Sequence, residues 1–276
     1  MAAEVDLHLH TLASDGRLTP SELIDLVAEK GLKVISISDH DSTEGLAEAY
    51  QALKSYPSIT LIPGIELSTD IPGDEIHMLG YFMDYGDASF QATLSKFREG
   101  RLERGRLIVE KLGTLGIHIE WERVKEIAGD GSVGRPHIAL AMVEKGYFKE
   151  PKGPFAEYLG RNGKAYIELP KMTPSEGVEI LTKVGGVAVL AHPASLSDLD
   201  HKVAELKEAG LKGMEVHYAA YSPETINYLS RVAKNHDLIP CGGSDYHCLG
   251  NSGEALPGTM GPPLETVFEL KRAAGS

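Results

Sequence analysis

Along residues 4–10 the chain alternates strictly, with Val5, Leu7 and Leu9 on one face of an extended segment and Asp6, His8 and His10 on the other. Thr19-Pro20-Ser21-Glu22 then opens a helix: Thr19 caps it, Pro20 suits its first turn, and Glu22 completes a capping box. Leu23, Leu26 and Val27 recur at helical spacing and Gly31 ends the segment. Similar patterns predict strands at 33–39, 58–66 and 75–83, with a helix at 42–53. Beyond residue 170 they predict helices at 173–184, 199–209, 223–235 and 263–273, and strands at 186–192, 211–218 and 238–244. Seven strands, mostly separated by helices, predict an α/β fold whose parallel sheet is closed or nearly closed into a barrel. Residues 85–169 have another texture. Helical patterns at 94–115, 121–127, 136–145 and 154–159, with no convincing strand, predict a helical insertion after the fourth strand, capping a barrel built from 1–84 and 170–276.

Composition narrows the function classes. No apolar run approaches the roughly 18 residues of a membrane span and the N-terminus lacks a signal-peptide core, so a cytoplasmic protein with no membrane partner is expected. Cys241 and Cys248 are too few and too oddly spaced for a disulfide framework or a Cys-rich zinc site; they are expected to be packing thiols. Any metal must then be held by nitrogen and oxygen. The net charge of −13 argues against coating long nucleic-acid duplexes. Residues 85–169 nevertheless carry 14 Lys/Arg against 12 Asp/Glu, so the acidic excess lies elsewhere and this segment could meet an anionic ligand.

The potential ligands fall in a pattern. His8 and His10 end the first predicted strand, Asp39-His40-Asp41 the second and Glu66 the third; His77 lies on the fourth. His192 ends the fifth, Glu215 and His217 the sixth, and Asp245 and His247 follow the seventh. Each has an ordinary explanation alone: a solvated His-x-His, an Asx turn at Asp39, a turn at Asp15-Gly16, a buried His192. Their joint position at one end of the strands, where barrel active sites are built, predicts a metal centre. Imidazoles at i and i+2 of a strand point to one side, and carboxylates can bridge two cations. Such ions activate water and clamp phosphoryl oxygens; nitrogen/oxygen ligation suits Mn, Fe, Zn or Mg without choosing among them. His118, His201 and His236 lie in helical or polar stretches and are expected at the surface.

These residues resemble the PHP (polymerase and histidinol phosphatase) family. The matching motifs are Asp6-Leu7-His8-Leu9-His10-Thr11 with Asp15-Gly16, Ser38-Asp39-His40-Asp41, Pro63-Gly64-Ile65-Glu66, Ile76-His77, Ala191-His192-Pro193 and Gly243-Ser244-Asp245-Tyr246-His247. The resemblance implies a distorted seven-stranded TIM-like barrel holding two or three divalent metals, manganese among the candidates. It implies His8, His10, Glu66 and Asp245 as ligands of a first metal, Asp15, His40 and His247 of a second, and Glu66, His77 and His192 of a third. His40, Asp245 and His247 are the candidates for catalytic work; Glu215 and His217 lie outside the family's ligand pattern. The stretches 134–139 and 158–166 resemble the stand-alone PHP phosphoesterases, which act on nucleoside 3′,5′-bisphosphates and short 5′-phosphorylated oligonucleotides. Arg135, His137 and Lys164 are therefore expected to hold a phosphate that is not cleaved, with Arg161 a weaker candidate. The expected activity is metal-dependent hydrolysis of phosphate esters of small nucleotides or short single strands. A sugar-phosphate or histidinol-phosphate type phosphatase and a non-catalytic metal or nucleotide sensor are the alternatives. The sequence does not set the oligomeric state.

Overall fold

The computed structural model describes residues 3–71, 74–168, 172–250 and 253–275. Seven strands lie in chain order in one sheet: β1 (Val5–Leu9), β2 (Val34–Ile37), β3 (Thr60–Ile71), β4 (Asp74–Tyr81), β5 (Val187–Leu190), β6 (Gly213–Tyr218) and β7 (Ile239–Gly243). Just past β7 the chain meets β1 again. The Asp245 N–H donates to the His8 carbonyl at 2.9 Å and the His10 N–H to the Tyr246 carbonyl at 3.0 Å, nearly closing a barrel. Helices α1 (Pro20–Glu29) and α2 (Gly45–Ala52) separate the first three strands, and α7 (Pro174–Lys183), α8 (Leu199–Ala209), α9 (Pro223–Asn235) and α10 (Leu264–Ala273) accompany the last three.

One expectation is corrected. The sheet is not all parallel, because β4 runs antiparallel to both β3 and β5. β3 extends to Ile71, beyond the predicted end at 66, and β4 starts at Asp74, so the connection is far too short for a crossover helix and only a hairpin is possible. His77 therefore reaches the barrel mouth from the first half of its strand rather than from a carboxyl end.

The alternation of β1 has an unusual outcome, since both faces are buried. Val5 and Leu7 pack in a cluster with Val267 and Leu270 of α10, and Leu9 joins Leu23, Ile24 and Val27 of α1. Asp6, His8 and His10 are buried as well. Burying such groups is costly unless they are paired, so the interior must supply partners.

Between β4 and α7 lie α3 (Ala88–Thr114), α4 (Trp121–Ala128) and α5 (Arg135–Glu144), with an apolar cluster of their own that includes Ile108, Leu112, Val124, Ile138 and Met142. α3 starts earlier than its apolar spacing predicts because the Asp87 carboxylate accepts the Phe90 N–H at 2.9 Å. The helix predicted over 154–159 is instead a short turn α6 (Lys152–Pro154) followed by one π turn, Phe155–Leu159, closed by Gly160 N–H to Phe155 carbonyl at 3.0 Å. Ion pairs tie this segment to the barrel, the more buried of them Arg101 to Asp41 at 2.6 Å, Arg135 to Glu75 at 2.8 Å and Arg161 to Asp70 at 2.8 Å, with Arg98 to Glu44 at 3.1 Å nearer the surface. Among the described residues no helix is long and apolar enough to cross a membrane.

Candidate metal centre

The loop after β1 carries Asp15, and its shape is set by Asp39. That buried carboxylate accepts the Thr11 N–H at 2.7 Å, the Thr11 hydroxyl at 2.6 Å and the Ser14 hydroxyl at 2.5 Å. Asp41 accepts the Ser68 N–H at 2.8 Å and pairs with Arg101. Asp39 and Asp41 thus flank His40 without joining the cluster it enters. Asp41, His192 and Asp245 hold positive φ, at 51°, 27° and 56°. Non-glycine residues rarely adopt such backbone, and it gathers at functional sites.

Glu66 sits at the centre. Its Oε2 lies 3.2 Å from His8 Nε2, 3.3 Å from His10 Nε2 and 3.3 Å from His40 Nδ1; its Oε1 lies 2.8 Å from His77 Nδ1 and 3.0 Å from His192 Nε2. Asp245 Oδ1 faces His8 and His10 at 3.2 and 3.1 Å. Asp15 faces His247 at 3.3 Å, and His10 and His40 at 3.7 Å. Among the described residues three groups bring ligand atoms within 4.8 Å of one another: His8, His10, Glu66 and Asp245; His10, Asp15, His40 and His247; and His40, Glu66 and His77. The first matches the set implied by the resemblance, and the second adds His10 to it. The third contains His40 where the resemblance has His192.

These residues fit divalent cations. Both ring nitrogens of His10 and Nδ1 of His40 are buried without a hydrogen-bond partner among the described residues, although carboxylate oxygens surround them. A borderline-hard ion accepting imidazole and carboxylate lone pairs would satisfy such groups. With no cation present, burial alone would raise the carboxyl of Glu66, but the neighbouring imidazoles of His40, His8 and His77 overcome it and hold it well below the usual carboxylate range. Asp15 and Asp245 are likewise held low against burial by their imidazole neighbours. Burial would lower His77 and His247; Glu66 raises the first to about 9, and Asp15 with Asp245 the second to about 10. For His40 burial wins, aided by Arg101, and lowers it to about 3.

A pocket of about 240 Å³ opens beside this cluster, lined by Asp15, His40, His77 and His247 and by three guanidinium groups, Arg101, Arg104 and Arg135. Arg104 is 7% exposed; its Nε donates to the Ile167 carbonyl at 2.8 Å and its guanidinium lies over the Tyr166 ring, while its buried Nη2 has no hydrogen-bond partner among the described residues. Arg135 lines the pocket, paired with Glu75. His137 is buried, its Nδ1 accepts the Gly134 N–H at 2.9 Å at the start of α5, and burial lowers it to about 4. Lys164 is exposed, its Nζ 5.1 Å from the Tyr158 ring, and Arg161 pairs with Asp70. Arg101 and Arg104 escaped the sequence reading. Their one signal was the i, i+3 spacing that places both on one side of α3, a side recognisable only once that helix is docked. Glu215, left open by the sequence, is fully buried, with Oε1 3.0 Å from His8 Nδ1 and Oε2 accepting the His192 N–H at 2.8 Å. The Tyr218 hydroxyl, also missed, donates to Asp245 Oδ2 at 2.7 Å. His217 is partly buried, which lowers its pKa.

Comparison with known proteins agrees with this geometry. The PHP domain profile matches residues 6–149. The chain is 35% identical over 247 residues to the 5′-3′ exoribonuclease Rnm of Salmonella typhimurium, covering 88% of this chain and 84% of that protein. It is 30% identical over 273 residues to the 3′,5′-nucleoside bisphosphate phosphatase of Chromobacterium violaceum, covering 95% and 94%. A Bifidobacterium adolescentis structure assigned to the metal-dependent phosphoesterases superposes with a TM-score of 0.90 at 31% identity, covering 99% of this chain and 97% of that one. A Chromobacterium violaceum amidohydrolase solved with sulfate and no metal gives 0.90 at 28% identity, covering 98% and 97%. Motifs, barrel and relatives agree: this chain belongs to the PHP family and is a metal-dependent phosphoesterase.

Proposed function

We propose that this protein hydrolyses phosphate esters of small nucleotides, a nucleoside 3′,5′-bisphosphate or a short 5′-phosphorylated oligonucleotide, while gripping a second phosphate that it does not cleave. Two or three divalent cations would be held by His8, His10, Glu66 and Asp245, by Asp15, His40 and His247, and by Glu66, His77 and His192. Ions held there supply Lewis-acid charge that acidifies water and offsets negative charge building on phosphoryl oxygens. His40, Asp245 and His247 belong to the reacting centre; burial keeps the His40 ring neutral, so it offers lone pairs rather than a proton.

The observation that carries the reading is the Nη2 of Arg104, which has no hydrogen-bond partner among the described residues and is buried beside the same pocket that His40, His77 and His247 line. A buried guanidinium N–H without an acceptor is costly, and a phosphate oxygen is its natural partner. Arg101 and Arg135 share the pocket, whereas Lys164 and His137 are engaged elsewhere and are lesser members of the grip. The names of the two relatives, an exoribonuclease and a bisphosphate phosphatase, support substrates with more than one phosphate. Net charge −13 favours short single strands over duplexes.

The test is phosphate release from nucleotides bearing a 3′-, a 5′- or both phosphates, with Mn, Mg and Zn tried separately. A charged hydrogen bond is worth about 1.5–3 kcal/mol, so Arg104→Ala and Arg135→Ala should each raise KM for the doubly phosphorylated compound roughly 10- to 100-fold. Turnover of a generic aryl phosphate should change far less, and His40→Ala should abolish both. Parental KM values in both arginine variants would refute the grip, and equal activity on histidinol phosphate would favour the sugar-phosphate type of phosphatase.

A further inference from the structure

β6 contributes nothing to the three ligand groups, yet two of its side chains reach them. In a regular strand residues 215 and 218 point to opposite faces. The pairing of β6 with β7 is not regular: Glu215 pairs with Cys241 and His217 with Gly242, so Val216 is an extra residue, bulged within the ladder. Val216 is fully buried in the apolar cluster that includes Leu229 and Val232 of α9. Past the bulge the alternation is reset. Glu215 therefore meets His8 and His192, and Tyr218 meets Asp245, all on the side of the candidate centre.

We propose that Glu215 and Tyr218 are positioning residues for the metal centre, an inference that rests on the ligand assignment above. A carboxylate oxygen accepts the proton of a ring N–H that faces it. Glu215 therefore fixes the proton of His8 on Nδ1 and turns the Nε2 lone pair toward Glu66 and Asp245. Its other oxygen holds the His192 N–H, anchoring that residue in its positive-φ backbone. Tyr218 occupies Asp245 Oδ2, so that Oδ1 alone faces His8 and His10. One strand thus orients side chains delivered by three other segments: β1, the turn after β5 and the turn after β7. Partners of this kind fix ring orientation and raise ligand basicity.

Glu215→Gln isolates the effect with little change in volume. The amide has one acceptor oxygen for two N–H donors. If it serves His192, its NH₂ opposes the Nδ1–H of His8, and the ring must carry its proton on Nε2, the side facing Glu66 and Asp245. The measurements are the Kd and stoichiometry of Mn²⁺ by calorimetry, the melting temperature of the chelator-treated proteins, and kcat and KM on the best nucleotide. Glu215→Gln should weaken Mn²⁺ binding 10- to 100-fold. Tyr218→Phe, which keeps the ring, should weaken it by up to roughly tenfold. Both should lower kcat at subsaturating metal, recover in excess Mn²⁺, leave substrate KM near the parental value, and melt near the chelated parent. If the parent binds Mn²⁺ and both variants bind it equally well, the positioning role is overturned while the metal centre stands. A lower melting temperature in the chelated variants with unchanged Mn²⁺ affinity would make the residues merely structural, which also overturns it. A parent that binds no Mn²⁺ would remove the ligand assignment and this inference together.

Discussion

Protons and cations compete for the same lone pairs at this site. In the metal-free protein the carboxylates of Glu66, Asp15 and Asp245 stay ionised, and protons sit on His77 and His247 up to about pH 9 and 10. Loading the centre near pH 7.5 must displace them, because a metal-binding imidazole is neutral. His8 too is held well above its ordinary value, against burial, by Glu215, Asp245 and Glu66, so calorimetry of Mn²⁺ binding in buffers of different ionisation enthalpy should show release of roughly two to three protons, reduced in His247→Asn. Stability follows the same sign. A histidine whose folded pKa is raised contributes stability that is fully present below its unfolded value near 6.5. That contribution is lost as pH climbs through 9 to 10. The chelated protein should accordingly lose melting temperature between pH 6.5 and 10, and Mn²⁺ should flatten the profile. Binding without proton release would show that these imidazoles are not ligands.

At the scale of the element, close backbone approach decides where ligands end up. A Cβ on Gly243 would lie 2.5 Å from the His8 backbone N and 2.6 Å from Asp6 Oδ1, at the seam where β7 meets β1. Gly243→Ala must push the strands apart, with an overpacking cost of about 1–3 kcal/mol, and should weaken Mn²⁺ binding because His8 moves. Gly113→Ala is the control: its nearest neighbour would be 4.0 Å away within α3, and it should be neutral or stabilising by about 0.4–1 kcal/mol in a denaturant melt. Equal stability in the two variants would refute the seam argument. Features that depend on near neighbours were legible in the sequence. Thr19 forms the predicted capping box, the same Thr-Pro-Ser-Glu sequence at 173–176 forms another, and α8 and α9 fall on the predicted bounds. The direction of β4 was missed although the absence of a helix between the third and fourth strands implied a hairpin. The ligand motifs were legible because each ends a segment of clear period. The guanidinium wall, the Val216 bulge and the partners of Glu215 were not, since each is created by one element docking on another.

For the whole molecule the question is whether barrel and helical segment form one cooperative unit. Cations that bind only the folded barrel stabilise it by about 2.7 kcal/mol at a hundred times Kd, which for a chain of this size raises the melting temperature by roughly 5–10 °C. The helices between β4 and α7 hold none of the nine candidate ligands and have an apolar cluster of their own, so alone they would be indifferent to metal. They are not alone. The pairs Arg101–Asp41, Arg135–Glu75 and Arg161–Asp70 join them to the turn after β2, to β4 and to β3. Each pair has at most about a quarter of either side chain exposed, so removing one partner leaves a largely buried charge uncompensated where the segment meets the barrel. The single tryptophan reports on this, because Trp121 lies in α4 and packs in that cluster. Its fluorescence transition should coincide with the far-UV transition of the whole chain, and both should fall together by 5–10 °C when metal is chelated. Asp41→Asn combined with Asp70→Asn should split the two probes, leaving a Trp121 transition that ignores the metal. A parental Trp121 transition that fails to move on chelation would mean that barrel and helices unfold as separate units, with the arginine wall positioned by surface contact rather than by a shared fold.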